Sequence, residues 1–103
     1  MILTTTSEIP GKEMEILGIV FGNTVRSKHI GKDIMSGLKS VIGGELQEYT
    51  EMLSDARKEA LNRMVNEAQR LNADAVVTIR FTTAATTPGA AELLAYGTAV
   101  KLM

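Results

Sequence analysis

Apolar residues in this chain recur with two periods, and the switches between them mark its elements. In "MEILGIVFGNTVR", Met14 and Ile16 alternate with Glu13 and Glu15, the period of a half-buried strand. From Leu17 to Phe21 the alternation gives way to Leu, Ile, Val and Phe on both faces, which predicts a stretch covered on both sides. Gly18 and Gly22 interrupt it, as glycines do at a bulge, a bend or a close backbone approach. Upstream, Ile2 to Thr6 reads as a short strand. "IPGKE" reads as a turn in which Pro10 fixes one φ and Gly11 supplies a positive one.

The period then becomes helical. A first helix is expected from Ser27, its N-cap, to about Ile42, with Ile30, Ile34, Leu38, Val41 and Ile42 as its apolar stripe. Gly31 and Gly37 each cost it about 1 kcal/mol relative to Ala. Gly43-Gly44 is expected to break it. The second helix carries one continuous stripe of Leu46, Tyr49, Leu53, Ala56, Ala60, Met64, Ala68 and Leu71, with Glu59 and Arg63 an i,i+4 pair on the opposite side. Asn72 falls where a helix ends in a left-handed residue, for which Asn is second choice after Gly. This helix of about 27 residues is roughly 40 Å long. A compact domain of this size is only roughly 33 Å across, so the helix bends or rests its ends on other subunits.

A hairpin closes the chain. Val77, Ile79 and Phe81 alternate with Val76, Thr78, Arg80 and Thr82; "TTPGA" turns; and Leu94, Tyr96, Thr98, Val100 and Leu102 alternate on the return. The order strand, strand, helix, helix, strand, strand predicts a single α+β domain over residues 1–103. Its expected form is a small, largely antiparallel, curled sheet packed with two helices, the second long.

Composition removes several functions. Eleven Lys and Arg stand against twelve Asp and Glu, a net charge of −1, with no basic face that would imply a nucleic-acid partner. There is no cysteine, which excludes disulfides, thiolate catalysis and thiolate metal sites. No run is long and apolar enough to span a bilayer, and no signal peptide is expected at the amino terminus. The default expectation is therefore the cytoplasm, with no membrane partner. His29, the only histidine, supplies one ligand where zinc or copper needs three or four. It reads as a solvated residue at a helix start. The six methionines form no cluster and read as gap-fillers. No serine has a nucleophile context, so no catalytic residue, cofactor or metal site is expected. The polar residues that stand out are Asp33, Tyr49, Arg57 and Arg80. Arg57 lies beside Ala56 at the edge of the stripe, two turns from Tyr49, with Asp33 a candidate carboxylate partner.

"TTT" (4–6), "PG" (10–11), "GIVFG" (18–22), "KDI" (32–34), "GG" (43–44), Tyr49, "AR" (56–57), Ala60, Met64, "NADAVV" (72–77) and "GTAV" (97–100) occur in that order. Over nearly its whole length the chain resembles the YbjQ-like family, which carries a heavy-metal-binding label. The resemblance implies a small YbjQ-like or dodecin-like α+β subunit that assembles into a homopentamer, with no activity established for the family. Against the family pattern, Glu45 replaces an arginine and Thr50 a glutamate. Arg80 and Thr82 stand where acidic residues are usual, and Ala90, Ala91 and Glu92 replace a Met-rich segment. Each change removes or moves a potential ligand. The leading expectation is a ring-forming ligand-binding or scaffold protein, with Asp33, Tyr49 and Arg57 as an inter-subunit site for a small molecule. The alternatives are a metal-binding protein, or an enzyme whose site is shared between subunits.

Overall fold

The structure, a computed structural model, describes residues 1–27, 42–87 and 90–103, without the side chains of residues 27, 42–49 and 85–87. The described elements are β1 (Ile2–Leu3), β2 (Met14–Ser27), α1 (Ile42–Arg70), β3 (Ala75–Thr87) and β4 (Ala90–Leu102). They form one mixed four-stranded sheet in the order β1-β3-β4-β2, with α1 on one face. β2 and β3 each run antiparallel to β4, whereas β1 pairs parallel with β3 through Ile2–Ala75 and Leu3–Val76. The fold is α+β, as the periodicities indicate. Of the expected first helix, Ser27 is the last residue of β2 and Ile42 the first of α1; its residues 28–41, with His29 and Asp33, and the Pro88-Gly89 turn lie outside the described residues.

Two boundaries differ from expectation. α1 has 29 residues and includes Gly43 and Gly44, which sit in its first turn rather than ahead of it. First-turn amides have no intrahelical acceptor in any helix, so glycine forfeits less there than in mid-helix. At the far end Leu71 is exposed, because it follows the last helical turn and leaves the stripe.

The core between α1 and the sheet is built from small residues. Ala56, Ala60, Met64 and Ala68 of α1 pack on Val20, Val76, Ile79, Leu93, Ala95 and Ala99. Alanine at three of these four turns lets the helix lie directly on β2. At Gly22 the approach is closest: a Cβ there would overlap the Ala60 carbonyl oxygen and the Met64 amide nitrogen, and would lie 2.9 Å from the carbonyl carbon of Arg63. A second, smaller cluster of Ala75, Val77 and Val100 lies on the other face, under Ile9, Met14 and Leu102. The Asp74 carboxylate fastens this end by accepting the Leu102 amide at 2.8 Å. That bond, with Lys101 beside it, holds the Asp74 carboxyl below its ordinary value.

The strands are not uniform. Gly18, at φ 143°, forms the bulge in β2 between Ile16 and Gly18. In β3 the register against β4 slips between Val77 and Arg80, with Thr78 at φ 54°. This bulge corrects the alternation expected from the sequence: Val76 and Ile79 share the helix face, while Val77 faces the other way. An extra residue on one strand reverses the phase of everything after it.

The helix ends as its residues predict. Asn72 has φ 59°, and the Ala73 amide donates back to Ala68 O at 3.1 Å. Asn72→Gly is therefore expected to be neutral or stabilising, and Asn72→Val to cost about 1–2 kcal/mol, since a β-branched residue is penalised at positive φ. Urea unfolding of the two variants checks this, and equal stability of both would contradict the capping account.

Candidate functional site

The expected trio is not brought together among the described residues. Asp33 lies outside them, and Tyr49 is in α1 with its side chain outside them. Arg57 is exposed on α1, next to buried Ala56. Arg80 has a structural task instead: it donates to Thr5 O and Ile79 O, each at 2.9 Å, clasping the amino-terminal segment to β3.

What the fold does assemble is a polar groove along the outer side of β2. Arg26, near the end of β2, faces α1 because its partner across the sheet, Ala91, does so. There it pairs with Glu59, which also pairs with Arg63 one helical turn on. One carboxylate thus lies between two guanidiniums and ties strand to helix. Arg63 also reaches round the strand and donates to the carbonyl of Asn23 at 2.6 Å. The Glu59–Arg63 pair was legible from its spacing, whereas Arg26 was not, since nothing local to it shows which face of the strand it occupies.

Below the triad lies an open cleft of about 280 Å³, with Phe21 and Asn23 of β2 on one side. Arg63, Asn66, Glu67 and Arg70 of α1 line the other. Arg70 pairs with Glu67 at 3.3 Å, so the charges largely satisfy each other. The edge of β2 at Phe21 to Asn23, with the amide of Asn66 and the guanidiniums of Arg63 and Arg70, suits reversible binding of a small polar ligand. The cleft contains no nucleophile paired with a base.

A metal fits the described residues poorly. The chain has no cysteine, and among the described residues no three His, Asp or Glu side chains converge. No helix among them is long and apolar enough to cross a membrane.

The rest of the sheet surface is notable for apolarity. On the face away from α1, Ile16 is 75% exposed, Ile19 68%, Phe21 56% and Val25 56%. Tyr96 stands directly across from Phe21. The expectation that Leu17 to Phe21 is covered on both sides therefore fails within one chain. Only the side bearing Leu17 and Val20 packs on α1.

Comparison with known proteins agrees with the resemblance seen in the motifs. The YbjQ family model, described as "Putative heavy-metal-binding", matches residues 1–103. A UPF0145 protein of Archaeoglobus fulgidus is 68% identical over 103 residues, covering 99% of this chain and 95% of that one. Another from Methanoculleus marisnigri is 65% identical, covering 100% and 97%. One from Shewanella frigidimarina is 61% identical, covering 99% and 96%. Among solved structures, a protein of unknown function of the DUF74 family from Pediococcus pentosaceus superposes with a TM-score of 0.67 at 15% identity. That alignment covers 100% of this chain and 98% of that chain, and it bears on the fold alone. With a model match from end to end and relatives this similar, the chain belongs to the YbjQ family.

Proposed function

We propose that the chain is the subunit of a homopentameric ring that serves as a ligand-binding or scaffold module. The observation that carries this reading is the apolar face of Ile16, Ile19, Phe21, Val25 and Tyr96. Their exposed area, on the order of 500 Å², matches the largest patches that monomers leave open and that usually serve binding. Shape supports the same reading. The Cα radius of gyration is 17.2 Å and the extents are 56 × 22 × 17 Å, whereas a compact chain of this length has a radius near 13 Å. An elongated subunit buries much of its surface only against copies of itself. The five-fold count follows the family resemblance, and the cleft beside Phe21 is the place for a small polar ligand.

Sedimentation equilibrium at micromolar concentration is expected to give a mass near five times the 11.1 kDa of one chain. Ile19→Asp, on the open face, should lower that mass while leaving the thermal midpoint of the dissociated chain nearly unchanged. It places a charge where an apolar contact is needed, at a cost of about 2–3 kcal/mol per interface. A folded monomer at that concentration would overturn the reading.

A further inference from the structure

We propose that Arg80 is an oxyanion site on the face of the sheet away from α1, taking the carboxylate or phosphate group of a small ligand. The site is separate from the cleft beside β2 and does not depend on how many subunits assemble.

The local backbone is what aims this arginine. Without a bulge, Arg80 would share the parity of Val76, which packs under α1. Thr78 and Ile79 together oppose only Gly97, so the phase reverses and Arg80 comes opposite Tyr96, on the other face. Bulges re-aim side chains in this way beside functional sites. This one is held against a local preference, since Thr78 is a β-branched residue at φ 54°. Backbone of that kind persists only where the surroundings impose it, and it clusters at ligand sites. Here the Thr78 amide donates to Thr6 O at 2.9 Å and the Ile79 amide to Thr4 O at 3.1 Å. Gly97 gives the bulge room, because a Cβ there would lie 3.0 Å from Val77 O.

The guanidinium is then fixed by one nitrogen. Nη1 donates to Thr5 O and to Ile79 O, each at 2.9 Å. Among the described residues Nε and Nη2 have no acceptor, and no carboxylate pairs with Arg80. Neither Glu8, three residues beyond Thr5, nor Glu92, on the same face of β4, does so. Arg26, Arg63 and Arg70, by contrast, each pair with a glutamate. What Arg80 leaves to solvent is the Nε–Nη2 fork, whose two parallel N–H groups match a carboxylate or a phosphate. Anchoring Nη1 in advance removes much of the ordering cost an arginine otherwise bears on binding. Thr82 and Tyr96 bring hydroxyls able to donate to the same face.

Nitrogen-15 NMR of the unmodified protein tests the site through its arginine Nε–H resonances. At constant ionic strength, sodium acetate and inorganic phosphate are titrated in separate arms, with acetamide as the neutral control. The Arg80 resonance should shift along a saturating curve. That of Arg57, exposed and unpaired among the described residues, should not. Saturation by acetate alone assigns a carboxylate ligand, by phosphate alone a phosphate, and by both an oxyanion of either shape; each supports the site. Arg80→Lys keeps the charge but not the fork, and should weaken the saturating anion at least about tenfold, read from the Thr82 and Tyr96 amide shifts. Its thermal midpoint reports separately any loosening of the amino-terminal segment. If that variant fails to fold, the titration of the unmodified protein decides. An Arg80 resonance that moves no more than Arg57's, or that answers acetamide as it does acetate, overturns the proposal. So does equal affinity in a folded Arg80→Lys.

Discussion

Gly22→Ala is expected to destabilise the fold by about 3 kcal/mol or more, for the addition of a single methyl group. The new Cβ would meet main chain on α1, at Ala60 and Met64, rather than flexible side-chain ends. Main chain inside a continuous helix cannot step aside one residue at a time, so the whole helix must rise from β2. Lifting it would unpack Ala56, Ala60, Met64 and Ala68 together. Thermal and urea unfolding of Gly22→Ala beside Gly18→Ala gives a clear comparison. At Gly18 a Cβ meets nothing within 4 Å and the cost is that of φ 143° alone. Equal modest losses in both variants would mean that helix and strand are not in backbone contact.

Val100→Asp is expected to abolish folding rather than merely loosen an assembly. Val100 is 1% exposed, sealed with Ala75 and Val77 beneath Ile9, Met14 and Leu102. A carboxylate there has no cation in that cluster, and its desolvation costs about 4 kcal/mol or more. That is a large part of the 5–15 kcal/mol that stabilises a typical domain. The expected result is a chain with unfolded circular dichroism, or one that aggregates on expression. Retention of a cooperative unfolding transition would show that this end of the sheet opens to water. The contrast with Ile19→Asp separates the two faces, since one charge strikes the subunit's own core and the other only its open surface.

The alternation in β2 and β4, the long helix and the αL residue at Asn72 were legible because each depends on neighbours within a few residues. The paired stripe and cap were enough to locate α1 to within one turn. The phase of β3 was not legible, because the bulge at Thr78 carries no glycine or proline to announce it. The double cover expected for Leu17 to Phe21 is not supplied by the chain itself, for a different reason. Periodicity reports that two faces are apolar, not whether the same chain covers both. The site was least legible of all. The Arg26–Glu59–Arg63 triad joins residues 33 apart in sequence, and only the pairing of β2 with β4 decides that Arg26 turns toward the helix. Arg57 was singled out for its place at the stripe's edge, yet the structure leaves it exposed.

The glycine–alanine seam between β2 and α1 also has a mechanical consequence. Long side chains between two elements act as a soft layer that shears when rotamers change, and main chain against main chain has no such layer. Helix and strand therefore behave as one laminated beam along the molecule's longest dimension. Force applied at one end is transmitted to the other with little loss, and the compliance of the molecule must reside elsewhere. Substitutions along the seam will alter that stiffness before they alter any contact with a ligand.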